Sequence, residues 1–120
     1  MGNGMKNDFG GHDNHHYDNI YGYAGQALGV CGTLEGHEDY FYGNKVVLTG
    51  TKVGGPQCNH PATVLHDNQY FTSSGDVEEC GKSLSDLQKA GTSEKGSSVA
   101  KLPDDATVIG WVKTMLGITD

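Results

Sequence analysis

The chain has 120 residues, enough for one domain, and glycine is its outlying residue, with 19 copies. Its 15 acidic residues outnumber its 8 basic ones, all lysine, and the formal net charge of −7 argues against binding to nucleic-acid phosphates or to anionic lipid. No apolar run approaches the roughly 20 residues of a membrane span. Glycine this frequent also argues against a helix bundle, because each interior glycine costs a helix about 0.5–1 kcal/mol.

The first half of the chain contains a repeat. Residues 11–25 align without a gap on residues 36–50, and the identical pairs are Gly11/Gly36, His12/His37, Tyr17/Tyr42, Asn19/Asn44 and Gly25/Gly50. A weaker third copy surrounds Asn68. Each unit holds short β-branched or aromatic runs between glycine and Asx turns, which predicts short strands. Because so short a unit cannot close a core alone, we expect successive units to stack, with the asparagines forming a ladder.

After Gly75 the pattern changes. Residues 83–91 predict a short helix that Ser83 or Ser85 caps and Gly91 ends. Residues 92–101 are rich in serine, lysine and glycine and predict a loop. Residues 103–117 predict a terminal helix, which we expect to cover the strand edge of the last unit. Its apolar side comprises Val108, Ile109, Val112 and Leu116.

The units, with Asn19, Asn44 and Asn68 closing turns, resemble the coils of right-handed parallel β-helix proteins of the pectate-lyase-like superfamily. The following segment is similar to the closing motif of many carbohydrate-active members, with Leu87 where tryptophan is usual and Glu94 near the usual aspartate. Repeat and resemblance together predict an all-β fold. Residues 1–78 would form a right-handed parallel β-helix of about three coils, and residues 79–120 a partly helical C-terminal cap.

The resemblance implies a secreted protein that binds or cleaves a polysaccharide, by lyase or glycosidase chemistry in catalytic members, with Ca²⁺ as the lyase cofactor. It supplies no catalytic residue. The alternative is a non-catalytic structural or assembly module, the terminal piece of a longer protein. Because the first coil has no evident cap, we expect its open end to meet missing N-terminal coils or another chain; the alternative is that residues 1–10 fold over it. A soluble monomer of residues 1–120 with a cooperative melt would contradict the fragment hypothesis.

The repeat also predicts a row of histidines and acids. If the units stack, His12 lies over His37 at about 4.8 Å and Asp13 lies beside Glu38. Paired carboxylates raise one pKa and leave a proton donor beside an acceptor, so the four groups could act as acid and base. With the imidazoles they could instead bind a divalent metal. The alternative is a simple corner, in which histidine bonds the backbone and the acid is solvated.

Two further sets of residues are candidates. Tyr17, Tyr21, Tyr40 and Tyr42 cluster around the units, and exposed tyrosines could stack on sugar rings. Since strands alternate sides, some of these rings would fill the core instead.

Cys58 and Cys80 bracket the third unit, and in an extracellular chain we predict a disulfide between them, stabilising the fold by about 3 kcal/mol. Cys31 could then be a buried thiol.

Overall fold

The computed structural model describes residues 3–7, 13–30, 35–55, 63–91 and 93–118. Its elements in chain order are β1 (Asn3–Asn7), β2 (His15–Tyr17), β3 (Ile20–Ala24), β4 (Gln26–Val30), β5 (Tyr40–Tyr42), β6 (Lys45–Leu48), β7 (Gly54–Gly55), β8 (Val64–His66), β9 (Gln69–Thr72), β10 (Glu78–Glu79), β11 (Lys82–Ser83), α1 (Leu84–Ala90), β12 (Ser98–Lys101) and α2 (Asp105–Leu116).

Three sheets are parallel, and each takes every third strand: β1-β4-β7, β2-β5-β8 and β3-β6-β9-β12. The register follows the repeat, since Tyr17 pairs with Tyr42 and Tyr42 pairs with His66. The same offsets join the turns, where Asn19 bonds Asn44 across 25 residues and Asn44 bonds Asn68 across 24. The prediction that like positions of successive units become neighbours is therefore confirmed.

The predicted fold class is wrong. The fold is mixed α/β rather than an all-β right-handed parallel β-helix with a cap. Within the described residues the parallel strands lie in separate sheets of three and four strands, with no closed or solenoid sheet, and helices of 7 and 12 residues join them. Residues 98–101, predicted as loop, form β12 and pair with β9. The mixed class has a physical reason. Parallel sheets are usually covered on both faces, and α2 packs on the outer face of the four-stranded sheet.

One turn recurs four times between the second and third sheets. Its first residue has a positive φ in each case, at Asp18 (54°), Gly43 (67°), Asp67 (53°) and Gly96 (77°). The next residue carries the ladder: the backbone N–H of each asparagine donates to the side-chain oxygen of the following unit, and the last step ends on the Ser97 hydroxyl at 2.9 Å. The predicted asparagine ladder is confirmed. The residue before each asparagine takes the left-handed conformation of the turn, and the asparagine side chains satisfy backbone amides that would otherwise be buried without a partner.

The core lies between the three sheets. Fully buried apolar side chains from all three fill it, among them Leu28, Phe41, Val46 and Tyr70, each less than 1 % exposed. Burying a side chain of this size stabilises a fold by about 1.5–3 kcal/mol. This inward packing is what forces the alternate side chains of the same strands outward.

The two helices lie at different places. α1 is the predicted short helix: Ser83 Oγ accepts from the Asp86 N–H at 3.2 Å, and Gly91 ends it with a φ of 70°. It packs on the last unit, where the Gln88 amide donates to the Glu94 and Ser97 carbonyls at 2.8 and 2.7 Å.

α2 begins after Asp104 and lies on the four-stranded sheet rather than over the edge of its last strand. Its Trp111 ring packs on Phe71 with centroids 5.0 Å apart, and Lys45 Nζ lies 5.8 Å from the centre of the Trp111 ring. The Tyr23 hydroxyl, on β3, donates a hydrogen bond to the Asp105 carboxylate. These contacts hold α2 across β3, β6 and β9.

In the part of the chain that the structure describes, no helix combines the length and hydropathy that a membrane crossing needs. Cys80 is disulfide-bonded. Cys31 and Cys58 lie outside the described residues, so the pairing of Cys58 with Cys80 stays a prediction.

Candidate functional site

The predicted row of histidines and acids forms a hydrogen-bonded corner. His37 Nδ1 lies 2.7 Å from Asp13 Oδ2, and the Asp13 N–H donates to the His37 carbonyl at 3.1 Å. Glu38 turns away from this pair, because its Oε2 accepts from the Gly36 N–H at 2.8 Å. His12 lies outside the described residues. The corner interpretation is met only in part: these side chains bond within a turn, but His37 bonds the Asp13 carboxylate rather than the backbone, and Glu38 accepts from a backbone N–H.

The metal hypothesis included His12, which the structure does not describe. The described residues contain no group of three or more histidine, cysteine, aspartate or glutamate side chains that could hold an ion, whether Ca²⁺ or another divalent metal. Asp13 and His37 are about half exposed, at 49 % and 55 % of their side-chain area, so water weakens the attraction between them.

The outward side of the β2-β5-β8 sheet is aromatic. We call it the aromatic face, and it consists of His15, Tyr17, Tyr40, Tyr42 and His66. The rings form two columns, since His15 stacks on Tyr40 at 4.4 Å, Tyr17 on Tyr42 at 5.3 Å and Tyr42 on His66 at 4.8 Å between centroids. Parallel in-register strands produce this arrangement, because they place paired side chains about 4.8 Å apart.

A hydrogen bond ties the two columns of the aromatic face together. His15 Nδ1 lies 3.2 Å from Tyr42 Oη, and the two rings meet edge to face.

His16 alternates with His15 and Tyr17 along β2 and is half-buried. Burial lowers the pKa of His16, and the charge of Asp39 partly opposes this shift. His16 therefore tends to stay neutral under the exposed rings.

The stacking decides which ring surfaces a ligand can reach. Inside a column each ring covers its neighbour, so the tyrosines present hydroxyl edges rather than faces. Within the described residues an uncovered ring face can occur only at the end of a column, at His15 or Tyr40 in the shorter column and at Tyr17 or His66 in the longer one. Tyr17 is 53 % exposed, whereas His66 pairs with Lys95 on the side away from Tyr42. The prediction that sugars stack on the tyrosines is therefore limited to rings at the ends of the columns.

Tyr21 lies apart from the aromatic face. Its half-buried ring packs against the core and stacks on Phe41 at 5.7 Å, and its hydroxyl accepts from the Asn19 amide at 3.2 Å. Burial raises the pKa of Tyr21. Of the four predicted tyrosines, Tyr17, Tyr40 and Tyr42 share one surface and Tyr21 fills the interior.

A cleft of about 810 Å³ opens where the longer column ends, between β8 and the end of α1. His66 belongs to both the longer column and the cleft. Its backbone also pairs with that of Lys95 through a single parallel bridge. Apolar Val64 and polar Ser93 line the cleft together with Gln88. This mixture of an aromatic ring, an apolar wall and a few polar groups is typical of small-molecule sites, and the volume falls within their usual range.

Beneath the cleft lies a buried acidic cluster that the sequence analysis did not single out. Glu94 is fully buried; its Oε2 accepts from the Tyr70 hydroxyl at 2.6 Å and its Oε1 from the Ser97 hydroxyl at 2.7 Å. Glu79, 5 % exposed, lies beside it, and Glu79 Oε1 has no hydrogen-bond partner among the described residues.

Burial, together with the charge of the neighbouring Glu94 and a hydrogen bond to it, raises the pKa of Glu79 to about 8. Glu79 therefore holds its proton at neutral pH. Burial and Glu94 also raise the pKa of Tyr70. Both carboxyl groups are shielded from solvent, and Glu94 belongs to the lining of the cleft, so the pair forms part of its floor.

His66 was not among the predicted site residues, although one signal was present. His66 precedes Asp67 and Asn68 as Tyr17 precedes Asp18 and Asn19. Aligning the residue directly before Asp67 would have placed His66 in the tyrosine column.

Searches against protein-family models, curated proteins and solved structures find no match to this chain.

Proposed function

We propose that this chain is a carbohydrate-associated module that binds a polysaccharide in the cleft beside His66. The observation that carries the proposal is that the His66 ring, with 36 % of its side chain exposed, lines a cleft that also offers the polar side chains of Gln88 and Ser93. A sugar presents a C–H face that packs on an aromatic ring and hydroxyls that need hydrogen-bond partners, and the cleft has both kinds of group.

The aromatic face extends this site. A polysaccharide chain leaving the cleft along the longer column would pass the hydroxyls of Tyr42, whose Oη also bonds His15, and of Tyr17, which is 53 % exposed. These hydroxyls can donate to and accept from sugar hydroxyls without any change in the stack. We therefore expect the sugar chain to form hydrogen bonds along the aromatic face and to stack one of its rings in the cleft.

We also propose that the protein is extracellular. The disulfide at Cys80 supports it, because disulfides persist in oxidising compartments such as the cell exterior. Binding rather than cleavage is proposed, since the exposed acids near the repeat, Asp13 and Glu38, are engaged in turn hydrogen bonds and Glu79 and Glu94 are buried.

The test is a glycan array followed by calorimetry with the best oligosaccharide, using the full chain with and without Ca²⁺. An aromatic contact contributes about 0.5–1.5 kcal/mol, so His66→Ala should weaken binding by about threefold to tenfold. His66→Tyr is the matched control, because tyrosine occupies this position in the first two units, and it should retain affinity. Binding that is indifferent to His66→Ala, or no binding to any glycan, would refute the proposal.

A further inference from the structure

The four-stranded sheet ends at β3, which has a strand partner, β6, on one side only within the described residues. The ladder is also unfinished there. The Asn44 amide donates to the His16 carbonyl of the preceding unit and the Asn68 amide to the Phe41 carbonyl, both at 3.0 Å, whereas the Asn19 amide turns to the Tyr21 hydroxyl. An edge of this kind carries backbone groups that can pair with another strand.

Beside this edge, α2 carries an apolar stripe that the fold leaves exposed. Ile109, Val112 and Leu116 follow one another at helical spacing and are 54 %, 38 % and 65 % exposed. Together they form one continuous side of the helix that no strand or loop among the described residues covers.

The stripe lies on the β3 side of α2. Asp105 precedes Ile109 by one helical turn, and the Tyr23 hydroxyl of β3 bonds Asp105. Val108 is buried and Trp111 packs on Phe71 of β9, farther from the edge, so they mark the opposite side of the contact. The exposed stripe therefore overhangs the open edge of the sheet.

We propose that two copies of this chain form a two-fold dimer through these surfaces, with β3 pairing antiparallel to β3 of the second copy. A two-fold axis normal to the sheet places both α2 helices on the same face and antiparallel to each other. The two overhanging stripes then meet above the joined sheet around their Ile109 side chains. One operation thus pairs the strand edge and covers the stripe at the same time.

The charges on α2 favour a second copy as the occupant. The acidic residues Asp104 and Asp105 stand at the start of α2 and Lys113 stands in its last turn. Antiparallel packing brings Lys113 of each copy beside the acidic start of the other, and the helix dipoles also oppose each other. At the middle of β3, Gly22 has no atom within 4 Å of where a Cβ would lie, so the second strand can approach there.

A two-fold interface pairs β3 of one copy with β3 of the other and leaves no third β3 to add, so it closes as a dimer. The opposite end of the four-stranded sheet is built differently. There the Ser97 N–H donates to the Glu94 carbonyl at 3.0 Å, which ends the ladder, and Gln88 of α1 bonds the Glu94 and Ser97 carbonyls. Beyond them β12 has a strand partner, β9, on one side only within the described residues.

Sedimentation velocity of the full chain over a micromolar-to-millimolar series tests the proposal. We expect a concentration-dependent shift from the 12.7 kDa monomer to a species of twice that mass. Ile109→Lys and Leu116→Lys should each weaken dimerisation more than tenfold, with an unchanged circular dichroism spectrum because both side chains are exposed. Ala90→Lys adds the same charge to an exposed position on α1, away from the proposed interface, and should leave the dimer intact.

Three results would overturn the dimer: a monomer at every concentration, a dimer that survives both stripe variants, or equal disruption by Ala90→Lys. Hydrogen exchange gives an independent reading. The N–H groups of Ile20 and Gly22 alternate with those that face β6, so their exchange should slow as the concentration rises. Unchanged exchange of these two amides across the dimerisation range would show that β3 is not the pairing strand.

Discussion

Replacing Glu79 by glutamine should stabilise the chain, and the gain should grow with pH. Burial and Glu94 raise the pKa of Glu79 from an ordinary value of 4.5 to about 8, so between these values the folded state holds a proton that the unfolded chain releases. The free energy of unfolding then falls as pH rises, by about 1.4 kcal/mol per pH unit. Below pH 4.5 both states are protonated and the effect disappears; above pH 8 it is constant.

At pH 7 the cost of holding this proton is roughly 3 kcal/mol, and glutamine does not incur it. The side-chain amide also keeps a hydrogen donor toward Glu94, so the buried cluster need not rearrange. We expect Glu79→Gln to match the wild-type free energy of unfolding near pH 4.5 and to exceed it by about 3 kcal/mol at pH 7. With a urea dependence of about 1–3 kcal/mol per molar, the unfolding midpoint should rise by roughly 1–3 M.

Urea unfolding followed by Trp111 fluorescence at pH 5, 6, 7 and 8 measures this difference. Glu78→Gln is the matched control: Glu78 is adjacent in sequence and exposed, so the same change of charge should alter stability little and without this slope. If Glu79→Gln destabilises the chain at pH 7, or if its effect is as flat with pH as that of Glu78→Gln, the buried protonated carboxyl is not present.

Five other substitutions, two of them controls, test the turns and the helix cap by urea unfolding. Asn44→Ala removes a buried amide that bonds two units and should cost about 1–3 kcal/mol, whereas Asn19→Ala, at the edge of the ladder, should cost less; equal losses would contradict the ladder. Gly43→Ala should destabilise more than Asp18→Gly, because Gly43 has a φ of 67° and a Cβ there would lie 2.8 Å from Asp18 Oδ1; a neutral Gly43→Ala would contradict this geometry. Ser83→Ala should cost about 1 kcal/mol by removing the cap of α1, and an unchanged midpoint would show that the cap does not contribute.

Neighbour relations were the most predictable part of the fold. An offset of 25 residues implies that Tyr17 lies beside Tyr42 in any parallel in-register pairing, and it does. Alternation within the Tyr40–Tyr42 strand could also have shown that Phe41 points inward and its two neighbours outward. Such inferences succeed because they depend only on the repeat length and on the two-residue alternation of side chains along a strand.

Features that depend on tertiary contacts could not be predicted in this way. Residues 98–101 have a loop-like composition, yet pairing with β9 makes them a strand, because a neighbouring strand outweighs intrinsic propensity. The approach of Glu79 to Glu94 has no local signal, since only packing brings the two carboxyl groups together. The mixed α/β class likewise follows from where α2 packs, and an apolar helix face does not say which sheet it covers.

The central claim is that successive units lie in register, so that their rings stack and lead into the cleft. Two-dimensional NOE spectroscopy of the full chain tests it most directly. We predict cross-peaks between the ring protons of Tyr17 and Tyr42 and between those of Tyr42 and His66, with none between Tyr17 and His66, which are two steps apart in the column. Absence of the first two cross-peaks, with Tyr42 instead contacting core side chains, would contradict the register, and the cleft proposal would fail with it.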